Sequence, residues 1–326
     1  MTSRRAFIAG AFAAIAAPLA AQEKPPREYR IGVLDAVAEP ENAANMTQLR
    51  KGLKDLGYVE GKNLVIEYRS ADARNNRYPA LAAELARAKV DLIIANGTPA
   101  AFAARTAAGT IPAVTATALD PVETGLVASL ERPGGNVTGL AVITHELEAK
   151  RVELLAALAP RRKRIGVFVN MNNPGLAETW KAIEAAAIAQ GLEPQLIKVS
   201  RPEKIERAFQ VAVAKRAEAL VVRVGALAEP DRKKMVDLAA RHKLPAIYSQ
   251  RQYVEAGGLV SYGMSTPEMY YRAASFADKI FKGAKPGELA MERPTKFEFV
   301  MNRRTIKALD LVVPPDLLLR SNEIVG

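Results

Sequence analysis

From about residue 28 onward, short runs of β-branched and other apolar residues alternate with longer Ala/Leu-rich stretches of helical period. The first set of runs covers 30–34, 64–69, 90–95, 112–115 and 137–142. A second set covers 164–169, 195–199, 219–223, 246–249 and 259–262. Each run is almost continuously apolar, which is the pattern of parallel strands covered by helices on both faces. The intervening stretches keep a helical stripe: Leu176, Trp180, Ile183 and Ala187 fall at i, i+4, i+7 and i+11. Strand and helix in alternation predict an α/β protein built on doubly wound sheets.

The two sets read as copies. Arg30-Ile31-Gly32-Val33 recurs as Arg164-Ile165-Gly166-Val167, and a predicted helix ends at a glycine in each copy, Gly57 and Gly191. Val90 to Ile94 with Gly97 has its counterpart in Ala219 to Val222 with Gly225, and Ile111-Pro112-Ala113-Val114 in Leu244-Pro245-Ala246-Ile247. Four matches in one order predict two similar parallel-sheet lobes joined by hinge strands. The expected division is 28–142 with about 264–293 in lobe 1, and 143–263 in lobe 2. A helix at 268–281 and a last strand at 297–302 follow the second copy. The tail from 294 is open to either lobe, with the second preferred.

A length of 326 residues suits about two domains. The N-terminus, Ser3-Arg4-Arg5-Ala6-Phe7-Ile8 followed by an Ala-rich run to Ala21, has the basic n-region and short apolar core of a secretory leader. Cleavage is expected after Ala21, and the paired arginines resemble a twin-arginine signal. The expected location is therefore the periplasm. With no cysteine and only two histidines, His145 and His242, disulfides, thiolate metal sites and multi-histidine centres drop out. The net charge of +11 would permit nucleic-acid binding. Its one cluster, Arg161 to Arg164, lies between a helix and a strand without interleaved aromatics, so no nucleic acid is expected.

In open α/β sheets, ligands bind beyond the carboxyl ends of the strands, so the loops after the strands hold the candidates. Asn96-Gly97-Thr98-Pro99 opens a helix, with Thr98 as a cap and Pro99 at its first turn; the freed N–H groups suit a carboxylate or phosphate, or simply cap the helix. Asp120, before Pro121, either caps a helix or pairs with a ligand ammonium. Asn170 and Asn172, in an Asn-rich Pro-Gly turn, offer donors and acceptors at a cleft edge, or only the turn. Arg223 ends an apolar strand and either turns to solvent or meets an anion. Tyr248 is either core or a ring against the ligand.

No dinucleotide fingerprint, phosphate loop, zincin helix or nucleophile elbow is present. Catalytic residues, metal and cofactor are accordingly expected to be absent, and binding without turnover is favoured. An exported enzyme acting on a small acid in a cleft is the alternative. A transcriptional effector domain would need a DNA-binding unit ahead of residue 28.

These residues resemble the ABC-transporter substrate-binding proteins of the type associated with aromatic amino acid uptake in bacteria. The resemblance rests on Leu56-Gly57-Tyr58-Val59-Glu60-Gly61-Lys62-Asn63-Leu64, Gly97-Thr98-Pro99-Ala100-Ala101, and Asp120-Pro121 with Gly125 to Leu130. Arg132 to Gly139, Glu255 to Leu259 and Pro294 to Glu298 carry it further. It implies a monomeric two-lobed periplasmic receptor of the type 1 binding-protein kind, which closes on a small carboxylate-bearing solute and delivers it to an inner-membrane permease. It also implies that the loops at Thr98, Asp120 and Asn172 hold an amino-acid backbone. The chain departs from the pattern at Arg223-Val224-Gly225, where relatives often carry Pro-Asp. A guanidinium in place of a carboxylate disfavours an ammonium there and favours a more anionic solute.

Overall fold

The computed structural model describes residues 27–107, 109–228 and 231–326; the expected leader and cleavage position lie outside the described residues. The chain begins with β1 (Tyr29–Asp35), α1 (Ala43–Asp55), β2 (Leu64–Ser70), α2 (Tyr78–Arg87), β3 (Leu92–Ala95), α3 (Thr98–Ala107), β4 (Ala113–Leu119) and β5 (Val137–Val142). The five strands form one parallel sheet in the order β2-β1-β3-β4-β5. All four residues of β3 and all six of β5 are buried, because helices cover both faces.

The second lobe holds α4 (Thr144–Leu158), β6 (Arg164–Val169), α5 (Pro174–Ala189), β7 (Glu193–Lys198), α6 (Ile205–Ala214), β8 (Ala219–Arg223), α7 (Arg232–Arg241), β9 (Ala246–Tyr248), α8 (Arg251–Glu255) and β10 (Val260–Met264). Counted from its β7 edge, this sheet runs β7-β6-β8-β9-β10, the order of lobe 1 repeated. The repeated Arg-Ile-Gly-Val occupies the same place in both: Gly32 pairs with Glu67 and Ile93, Gly166 with Gln195 and Leu220.

After β10, helix α9 (Thr266–Phe281) returns to lobe 1. Its Met269, Tyr270, Ala273 and Ala277 share a core with Met46, Leu49 and Leu53 of α1. Glu292 N then donates to Gly139 O of β5 before the chain re-enters lobe 2 as β11 (Phe297–Asn302). Strand β11 lies antiparallel to β10, with Met264 opposite Phe297, so the second sheet is not wholly parallel. The cause is topological: the chain leaves and re-enters beside the hinge, so the returning strand must run away from it. Helices α10 (Arg303–Ala308) and α11 (Pro315–Arg320) lead to β12 (Glu323–Val325), a three-residue edge strand too short to carry a period. The chain thus passes between lobes after β5, after β10 and between Glu292 and Phe297. Leu119 and Tyr262 pack against the cores of both lobes and mark the seam.

Candidate functional site

The carboxyl ends of both sheets face one another, and two adjoining cavities lie between them. An inner cavity of about 120 Å³ takes its wall from Asn96, Gly97, Thr98, Pro99, Thr117 and Leu119 of lobe 1 and from Asn170, Asn173, Leu176, Arg223, Ser249 and Gln250 of lobe 2. An outer cavity of about 760 Å³, lined among others by Asp72, Arg74, Asn172, Ser200 and Arg201, shares Asn75, Asn170 and Leu227 with it. At the mouth, Asn75 Nδ2 reaches Asn172 O of the opposite lobe at 3.4 Å.

Five of the eight expected residues therefore line the inner cavity: Asn96, Thr98, Pro99, Asn170 and Arg223. Asn172 lines the outer one. Gly97, at φ +87, lets the backbone turn from β3 directly into α3, a conformation open to glycine without strain. The Thr98 hydroxyl does not cap its own helix. It accepts from Leu119 N at 3.0 Å and so ties α3 to the end of β4. Asn96 is also occupied: its Nδ2 donates to Asp35 Oδ2 at 3.1 Å, and its Oδ1 accepts from the Thr117 hydroxyl at 2.6 Å.

Asp35 anchors that arrangement. Fully buried at the end of β1, it accepts from the backbone N–H groups of Ala36 and Val37, from Asn42 and Asn96, and from the Tyr270 hydroxyl of α9. Burial raises its pKa above the ordinary aspartate value, and the Tyr270 and backbone hydrogen bonds offset only part of this.

Asp120 and Tyr248 are absent from the walls of both cavities. Asp120, in the left-handed region at φ 40, accepts from Thr144 N at 2.8 Å and from the Thr144 hydroxyl. It thereby caps α4 across the first passage between lobes. Burial raises its pKa despite those bonds. Tyr248 is core: it is 1% exposed and stacks on Tyr253 with ring centroids 4.7 Å apart. Burial pushes its phenol well up.

Arg223 is neither solvent-turned nor alone. It is 5% exposed, and its Nε lies 2.8 Å from Glu148 Oε1, close enough for an ion pair but not aligned as a hydrogen bond. Arg151, one turn along α4, donates to the same oxygen and, through Nε, to Tyr262 O at 2.7 Å. Desolvation, with Arg223 nearby, lowers the Arg151 guanidinium to about 10. Arg151 also lines the inner cavity and was not among the expected residues. A signal for it existed: Thr144, Leu147, Arg151, Leu155 and Leu158 follow helical spacing and are all buried, so Arg151 sits in the apolar stripe of α4. Asn45, Asn75, Tyr78 and Thr266 of the wall carry no comparable signal, being brought in by loops and helix starts.

Among the described residues, no group of three or more His, Cys, Asp or Glu could hold a metal ion. No described helix is long and apolar enough to cross a membrane.

Comparison with known proteins adds the family. A relative, the tyrosine-binding protein of Clostridioides difficile (strain R20291), is 29% identical over 285 residues, covering 87% of this chain and 82% of its own length. A conserved domain protein from Vibrio cholerae O1 biovar El Tor str. N16961 superposes with a TM-score of 0.86 at 26% identity, over 91% of this chain and 100% of that one. The ABC domain from Streptococcus pneumoniae in complex with L-Trp gives 0.85 at 24% identity, again over 91% and 100%, a likeness of fold. The model of the ABC transporter substrate binding protein family matches residues 30–325. With nearly the whole described chain inside that match, this protein belongs to the ABC transporter substrate-binding protein family.

Proposed function

We propose that this chain is an exported receptor that closes its two lobes around a small carboxylate-bearing solute, an amino acid or a related organic acid. It then delivers that solute unaltered to a membrane permease. The observation that carries the reading is an inner cavity walled by both lobes, in which Arg151 and Arg223 are the charged residues among those described. A ligand spanning such a space favours the closed arrangement by touching both halves at once. The tyrosine-binding relative supports a carboxylate with a ring, for which Tyr78, Leu176 and Met264 provide apolar wall. The leader-like sequence at residues 1–21 supports export.

The test is a panel of amino acids, dicarboxylates and aromatic acids, read by melting temperature and solution scattering of the mature protein. A solute at a hundredfold excess over its Kd should contribute about 2.7 kcal/mol of stabilisation and reduce the radius of gyration. A panel in which no carboxylate raises the melting temperature would remove the reading.

A further inference from the structure

We propose that the inner cavity takes a carboxylate solute without an α-ammonium group, anchored by Arg223 as the specificity-determining residue. This deepens the receptor reading above and rests on it.

The first ground is charge balance. Glu148, Arg151 and Arg223 are 0%, 2% and 5% exposed, so two guanidiniums share one carboxylate away from water. Both cations crowd onto Glu148 Oε1, while Oε2 has no partner. The cluster carries one uncompensated positive charge in a desolvated place, and such charges are retained where something neutralises them. Arg223 Nε has no hydrogen-bond partner among the described residues beyond its ion pair with Glu148, and Arg223 lines the cavity. A bound carboxylate would complete the pairing.

The second ground is what the wall lacks. Among the described residues no Asp or Glu lines the inner cavity, so an ammonium there would lie beside two arginines with no described carboxylate on that wall. Its amide oxygens are largely taken as well. Asn96 Oδ1 accepts from Thr117, Asn170 Oδ1 from Asn172 N, and Asn173 Oδ1 from Gly175 N. The Nδ2 groups of Asn170 and Asn173 have no partner among the described residues, so these side chains present donors, which an anion can use. Asn45 Oδ1 is buried and unpaired, a neutral acceptor that suits a solute hydroxyl.

The experiment uses the mature full chain and matched pairs differing only in the ammonium: L-tyrosine with 3-(4-hydroxyphenyl)propanoate, L-leucine with 4-methylpentanoate, and L-glutamate with glutarate. Affinities are measured by calorimetry for the wild type and for Arg223→Gln. In any pair that binds, the acid lacking the ammonium should be tighter by about tenfold or more, since the amino member leaves a buried charge unpaired. In Arg223→Gln that preference should fall to about one. The melting temperature of the unliganded variant should hold or rise, because Glu148 and Arg151 are then balanced. Tighter binding of the amino member, an undiminished preference in the variant, or a marked loss of unliganded stability in Arg223→Gln would each overturn the assignment while leaving the receptor reading intact. Binding of neither member in any pair would remove the receptor reading for these solutes and the assignment together.

Discussion

Glu148 is the residue on which the site's electrostatics turn. It is fully buried and is the one carboxylate shared by Arg151 and Arg223. Glu148→Gln would leave two guanidiniums facing each other without an anion, and breaking a buried pair from one side costs about 3–5 kcal/mol. Urea unfolding should report a loss of that size, and added carboxylate solute should restore part of it. Asp35 makes a prediction of opposite character, in pH. Its folded pKa is raised, so just above the ordinary aspartate value the folded protein holds a proton that the unfolded chain has released. Its contribution to stability is therefore complete below that value and is lost as pH rises through the folded pKa. Denaturation of wild type and Asp35→Asn at pH 4 and pH 7 should find wild type losing stability relative to the variant on going upward.

Among the elements, α5 begins in close contact with the opposite lobe. A Cβ placed on Gly175 would sit 2.6 Å from Leu119 Cβ and 3.0 Å from Thr98 Oγ1, both in lobe 1. Gly175→Ala should therefore disfavour the closed arrangement, raising the Kd for a bound carboxylate by roughly tenfold through the smaller competent fraction. The melting temperature without ligand should change little, since each lobe's core is untouched. How much of this was legible beforehand varies with the type of element. Strands such as 164–169 and 137–142 were found to the residue, because parallel strands covered on both faces leave an unbroken apolar run. The edge strand Glu323–Val325 is only three residues long, one of them charged, so it left no run to find. The loops at Asn96, Thr98 and Asn170 were legible as strand-end turns, and the cavity lies there. Arg151 was not, because a cation within a helix reads as solvated until the helix's buried stripe is traced. Tyr248 ends a strand and so resembled a cleft residue, but its ring turns into the core against Tyr253.

At the scale of the whole molecule, the observations describe two sheets of one order hinged by three passages of chain, with Leu119 and Tyr262 belonging to both cores. Trp180, the sole tryptophan, packs partly buried against the lobe 2 core on α5, the helix whose start meets lobe 1. Its emission should therefore shift on adding a binding carboxylate, with the same midpoint as calorimetry. An unchanged spectrum at saturation would mean that α5 does not move on closure. The three passages also bear on the inheritance of this architecture. A gene cut after Val142 would encode a first half stripped of Tyr270 and Ala273, whose absence bares Leu49 and Leu53. The remainder would keep β11 on its sheet but hold a helix with nowhere to pack. The repeated halves have traded segments, and recombination can no longer shuffle them as independent modules.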